Sequence, residues 1–201
     1  INQYNSKAWD REVQRENPWS RPVESEVIAA AREGNWNVVL TSTKPVPHDW
    51  FGDVAGKKVL CLASGGGQQA PVLAAAGANV TLLDQSPAML AQDSLVAARE
   101  GLEIEIVEGD MAKLSMFKAS SFDIIFHPVS NCFVPDVHPV WKECYRVLKS
   151  GGALLAGFAN PALYLFDRDE DNPEKQLIVN SLPYDDLNHL EDDRRRDLIA
   201  K

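Results

Sequence analysis

From residue 57 onward, short apolar runs alternate with stretches of helical period, and that alternation points to the fold class. Residues 59–63, 79–84, 103–107, 122–127 and 153–158 are compact apolar runs of strand length. Between them, residues 69–76, 87–100 and 138–149 predict helices; in the last, Val140, Trp141, Cys144, Val147 and Leu148 form one apolar stripe. Turn residues agree with these boundaries. Gly77 and Gly101 stop the first two helices, and Ser86-Pro87 opens the second with an N-cap followed by a proline at the first helical position. Gly151-Gly152 turns the third helix into the last strand. Strands joined by helical crossovers pair in parallel, because each crossover carries the chain back over the sheet before the next strand begins. The expected fold is therefore α/β, doubly wound, with a mostly parallel sheet. Ligands of such sheets sit beyond the carboxyl ends of the strands, where the strand order reverses.

Outside this core the pattern is weaker. Residues 1–21 are polar and rich in Trp and Asn, which suggests an N-terminal arm whose Trp9 and Trp19 need cover. Pro22 opens a helix with Val23, Val27, Ile28 and Ala31 on one face and Gly34 as its stop, and residues 45–56 are turn-rich. After residue 160 the only short apolar run is 176–180, and residues 185–201 read as a charged helix with a solvated face. The chain thus divides into 1–56, an arm and helices forming a lid; 57–160, a cofactor-binding core; and 161–201, a partial cap region.

Composition narrows the partners. The 201 residues carry 20 Lys and Arg against 29 Asp and Glu, a net charge of −9, which disfavours a sequence-independent grip on nucleic acid or anionic lipid and favours a small substrate. No segment is long and apolar enough for a membrane span, and the polar N-terminus lacks a signal peptide's apolar stretch. The sequence opens on Ile1 without an initiator methionine, which suggests trimming. Cys61, Cys132 and Cys144 form neither a C-x-x-C pair nor an even-numbered framework, which points to a reducing compartment, the cytoplasm. His127, Cys132, His138 and Cys144 cluster in sequence, but their spacings match no zinc arrangement, and no metal is expected.

The candidate chemistry follows the strands. Ser64-Gly65-Gly66-Gly67-Gln68 joins the first strand to its helix, where amides can point into a ligand at the positive end of the helix. Gly65, Gly67 and Ala70 satisfy G-x-G-x-x-G/A, and Asp84 stands about 20 residues on, where a carboxylate can accept both ribose hydroxyls. The plainer alternative is a tight turn with a solvent-facing Asp84. These features do not separate a nicotinamide cofactor from another adenosine-containing one. Glu108-Gly109-Asp110-Met111 closes the third strand, placing Asp110 beside the position of an adenine amine with Met111 over the ring edge; ordinary turn chemistry is the alternative.

Residues 57–159 resemble the class I S-adenosylmethionine-dependent methyltransferases. Residues 59–67 are similar to their glycine motif, 80–84 to their ribose-binding strand, 108–111 to their adenine-contacting turn, and 145–152 to the helix end and turn before their fifth strand. The resemblance implies S-adenosylmethionine as cofactor, held by Ala63, Ser64, Gly65, Gly67, Gln68, Asp84, Gln85, Asp110, Met111 and His127. It also implies in-line methyl transfer to a small acceptor, a reaction that needs alignment more than acid–base help. His127 and Asn131 are the candidate catalytic residues, His127 as a proton acceptor and Asn131 as an orienting group; the alternative is a ring that only packs and an amide that only holds its loop. Tyr4, Asn5 and Trp9 resemble the aromatic segment that covers the sulfonium, although the arm could equally patch an apolar surface. The chain departs from the family at Cys61, where an acid that helps organise the glycine loop is usual, and at Ala63, where glycine is usual. The family's last two strands find no convincing counterpart in 161–201. A C-terminal strand pair is therefore expected to be missing, leaving an edge open to a second copy as a homodimer. An NAD(P)-dependent oxidoreductase and a cofactor-binding module without turnover are the alternative functions.

Overall fold

The protein is described from a computed structural model covering residues 1–42, 44–168, 176–178 and 180–182. Residues 1–158 form one compact unit and 159–201 a second.

The first unit opens with α1 (Asn2–Gln14), a single turn at Pro18–Ser20, α2 (Ser25–Arg32) and a small antiparallel pair, β1 (Val39–Thr41) with β2 (Lys44–Pro45). Strands and helices then alternate as β3 (Lys58–Leu62), α3 (Gln69–Ala75), β4 (Asn79–Asp84), α4 (Pro87–Glu100), β5 (Ile104–Glu108), β6 (Phe122–His127), α5 (His138–Val147) and β7 (Leu148–Ala156). The sheet order is β5-β4-β3-β6-β7, and every neighbouring pair is parallel. The chain steps outward from β3 to β5 and then returns to the other side of β3. The order therefore reverses between β3 and β6, and the turn leaving β3 stands at that switch point.

Both faces of the sheet are covered. Along β3, Val59 and Cys61 join one buried cluster with Ile28, Leu82 and Phe126, while Leu60 and Leu62 join the other with Leu83, Ile125 and Val140. This alternation explains why the strand reads as an unbroken apolar run: each successive side chain meets a different helical layer.

Several boundaries differ from the sequence expectation. The arm at 1–21 contains α1, a helix with no buried residue, so its packing leaves no apolar period to read. The helix expected from Pro22 begins at Ser25, because the Val23 N–H is drawn into a bond with the Gly67 carbonyl at 2.9 Å. The last strand of the sheet starts at Leu148 rather than 153, since Leu148 already pairs with Phe122 before a register shift brings Ala153 opposite Ile124.

In the second unit, a turn at Pro161–Leu165 leads into β8 (Phe166–Arg168), which pairs antiparallel with β9 (Gln176–Ile178). The apolar run at 176–180 thus supplies a strand of a separate hairpin. The expected charged helix at 185–201 lies outside the described residues. Among the described residues, β7 is paired on one edge only.

Candidate functional site

The glycine turn between β3 and α3 bends around two internal carboxylates. Gly65 N–H donates to Asp84 Oδ2 at 3.0 Å, while Gly66 and Gly67 N–H both donate to Asp93 Oδ2, at 2.8 and 3.0 Å. Read from the sequence, these amides point at a ligand. The structure turns all three inward, because Asp84 at the end of β4 and Asp93 on α4 offer carboxyl oxygens that satisfy these amides. Gly66 and Gly67 lie at φ +126° and +75°, and a Cβ on Gly66 would strike the Trp19 carbonyl. The N-terminal segment therefore lies directly against the turn, an approach that only glycine permits.

Ala63, immediately before the turn, is also left-handed, at φ +48°. Its N–H bonds to the Leu83 carbonyl at 2.7 Å, and its own carbonyl accepts the Ser130 hydroxyl at 2.8 Å. The extra methyl group is therefore a conformational strain as well as a steric change. Ala63→Gly is expected to raise stability by up to about 1 kcal/mol by relieving the left-handed penalty. A lowered urea midpoint would contradict that reading.

Asp84 is nearly buried, and burial pushes its carboxyl above the ordinary carboxylate range, against the lowering effect of N–H donation from Ser86 and Gly65. Its Oδ1 accepts the Ser86 N–H at 3.0 Å, and its backbone carbonyl accepts the Gly109 N–H at 2.9 Å. Asp84 thus ties the glycine turn to the turn that carries Asp110. Asp110 uses Oδ1 to accept the Ala112 N–H at 2.9 Å and Oδ2 to accept the Asn2 side-chain amide at 2.7 Å. Met111 is buried in the apolar cluster with Leu83 and Leu114, and Gln85 is half-buried just beyond Asp84. Ser64 Oγ is buried without a hydrogen-bond partner among the described residues. Gln68 spends its side-chain N–H donors on the Pro18 and Arg21 carbonyls, at 2.7 and 2.9 Å.

His127 ends β6 fully buried. Its Nδ1 lies 2.8 Å from the Leu62 carbonyl and its Nε2 lies 2.9 Å from Asn131 Oδ1, while Asn131 Nδ2 donates to the Gly157 carbonyl at 3.0 Å. Burial lowers the His127 pKa, so the neutral ring is favoured. A neutral imidazole has one N–H, which satisfies only one of two facing oxygens unless the Asn131 amide is turned over. Either way, both ring nitrogens are engaged within the protein.

Helix α1 crosses this end of the sheet. Besides Asn2, Asn5 Nδ2 donates to the Phe133 carbonyl at 2.8 Å, Asp10 Oδ1 accepts from Ser86 Oγ at 2.7 Å and from Ala88 N–H at 3.1 Å, and Trp9 meets Phe133 edge-on. Tyr4 is exposed. The described residues contain no cluster of His, Cys, Asp or Glu suited to a metal ion. The fold adds Asp93, Ser130, Asp10 and Asn2, which stand in no motif of the sequence. Of these, Asp93 was open to discovery: it is a lone carboxylate on the stripe of Met89, Leu90 and Val96 that α4 buries.

Residues 60–156 match the family model described as a methyltransferase domain. The chain is 52% identical over 196 residues to the uncharacterized methyltransferase YbaJ of Bacillus subtilis (strain 168), covering 98% of this chain and 77% of that protein. It is 33% identical over 131 residues to a ubiquinone biosynthesis O-methyltransferase of Pseudomonas putida (strain W619), covering 63% of this chain and 56% of that protein. Among solved structures, it is similar to an arsenic(III) S-adenosylmethionine methyltransferase of Chlamydomonas reinhardtii. That match has a TM-score of 0.50 and 28% identity, over 66% of this chain and 44% of that one. With a reversal of strand order under a glycine turn and a likeness to YbaJ over 98% of its own residues, this chain belongs to the methyltransferase domain family.

Proposed function

We propose that the protein transfers a methyl group from S-adenosylmethionine to a small-molecule acceptor by in-line displacement. The observation that carries this reading is the double tie at Asp84, whose side chain holds Gly65 and whose carbonyl holds Gly109. The glycine turn, the β4 carboxylate and Asp110 thereby converge on one end of the sheet.

The residues present fit the cofactor. Each Asp84 carboxylate oxygen accepts one N–H from the glycine turn or Ser86 and keeps lone-pair capacity for a ribose hydroxyl. The Asn2 amide on Asp110 Oδ2 is the same type of donor as an adenine amine, which supports Asp110 as the adenine's partner. Ser64 Oγ is a buried hydroxyl still lacking a partner, available to the amino-acid portion. Gln85 and Met111 border the nucleoside, and Ala63, Gly65, Gly67 and Gln68 shape the turn beneath it. When bound, the cofactor supplies a methyl group activated on a sulfonium. His127 and Asn131 act at the acceptor end by holding each other and the β6 terminus in place, with both ring nitrogens facing protein oxygens and burial favouring the neutral ring. The acceptor is assigned to the small-molecule class on the chain's net charge of −9 and on the small-molecule pathway in the Pseudomonas relative's name. We assign the protein to the cytoplasm on its three free cysteines.

Calorimetric titration tests the cofactor. S-adenosylhomocysteine, the product form, is expected to give saturable heat and NADH none. Saturable heat with NADH alone would replace this reading with the oxidoreductase one.

A further inference from the structure

The carboxylate beneath the glycine turn comes from an unexpected direction. Asp93 lies in the middle of α4 with no exposed surface, on the stripe of Met89, Leu90 and Val96. Ionic groups are costly at such positions unless a defined set of donors meets them. Here the set is two consecutive backbone amides, Gly66 and Gly67, converging on Asp93 Oδ2; the Gly66 N–H also reaches the Met89 carbonyl at 3.2 Å. The other oxygen, Oδ1, is buried with no partner among the described residues. On the β3 side the neighbouring side chain is Cys61, a thiol held neutral by burial and by the nearby Asp93 charge.

Gly66 and Gly67 both lie at positive φ, and because glycine has the most backbone freedom to lose on folding, it is their hydrogen-bond partners that select this one conformation. The β3 side chain cannot be that partner, because a neutral thiol is a poor acceptor for two amides. We propose that Asp93 is the positioning residue of the glycine turn. It draws Gly66 and Gly67 inward from α4, and the turn then presents Ser64 and the Gly65–Asp84 pair to the cofactor. The proposal rests on the cofactor reading above and extends it by naming what holds the site in shape. Asp93 does not itself touch the cofactor.

The test compares wild type with Asp93→Ala, which removes the acceptor, Asp93→Asn, which keeps an acceptor oxygen without the charge, and Val96→Ala, which trims the same buried stripe. The first readout needs no ligand: the Gly66 and Gly67 amide resonances in nitrogen–proton spectra. They are expected downfield in wild type, close to that in Asp93→Asn, and upfield in Asp93→Ala. The second readout is titration with S-adenosylhomocysteine. Affinity is expected to fall about tenfold or more in Asp93→Ala, an amount typical of buried donors left without their acceptor, and to stay within about threefold of wild type in Asp93→Asn. Val96→Ala is expected to lower the melting temperature while leaving both readouts unchanged. Wild-type amide shifts and affinity in Asp93→Ala would overturn the proposal, as would an equal loss of affinity in Val96→Ala. If wild type gives no heat with S-adenosylhomocysteine, the cofactor reading fails, and the amide shifts still decide whether Asp93 anchors the turn.

Discussion

Replacing Asp84 with alanine is expected to lower S-adenosylhomocysteine affinity by about 10- to 100-fold and to cost the fold about 2 kcal/mol. Both effects follow from the same carboxylate. It accepts the Gly65 and Ser86 amides at 3.0 Å each, so truncation leaves two donors in a nearly buried setting without acceptors. The stability loss falls short of two full hydrogen-bond penalties because the carboxylate is itself strained by burial, which raises its pKa. On the proposed cofactor reading, the affinity loss combines lost ribose contacts with a displaced glycine turn. Asp84→Asn separates the two contributions: an amide oxygen still accepts one N–H, so stability recovers in part, while the lost charge keeps affinity low. Urea denaturation reads the first effect and calorimetry the second. A folded Asp84→Ala protein with unchanged affinity would remove the ribose assignment.

The stability of ligand-free wild type, measured relative to Asp93→Asn, is expected to fall as the pH rises from about 4 to about 8. Burial pushes the Asp93 carboxyl from 3.8 up to about 7, outweighing the two glycine amides that favour the charged form. A carboxyl whose folded pKa is raised holds its proton longer in the folded state. Its contribution to stability is therefore fully present below the unfolded value and is lost as the pH climbs through the folded value. The change is on the order of a few kcal/mol. The titratable neighbours are Asp84 on β4, whose charge adds to the shift, and Cys61 on β3, which stays neutral across this range. Asp123 and Glu143, held low by Lys149 and Arg146, slope the opposite way, but they do so in both proteins and cancel in the difference. Denaturation midpoints at several pH values supply the comparison. A difference that is flat or rises with pH would show that Asp93 is ionised well below neutrality.

The core elements were legible wherever local chemistry marks their ends. Helix α4 begins at Pro87 because the Ser86 side chain accepts the Met89 N–H, and it ends at Gly101 because that residue is left-handed; both signals stand in the sequence. Strands β4 and β6 likewise match the expected 79–84 and 122–127. Helix α1 was not legible, since a helix with no buried residue has no apolar face to display. The site divides in the same way. That Ser64, Gly65, Asp84 and Asp110 meet at one end of the sheet follows from their places just after strands. The direction of the glycine amides does not, because it is set by Asp93, a residue 26 positions from Gly67 that reaches the turn only once α4 has packed. His127 shows the same limit: its type and position suggest a proton acceptor, and the partners its ring meets, the Leu62 carbonyl and Asn131, are visible only in the folded chain.

A crystal structure of the protein grown with S-adenosylhomocysteine tests the account most directly. The ribose hydroxyls are expected on Asp84 and the adenine amine on Asp110, in place of Asn2, while Gly66 and Gly67 keep their amides on Asp93. A nucleoside bound away from Asp84 and Asp110, or glycine amides turned from Asp93 onto the ligand, would contradict it.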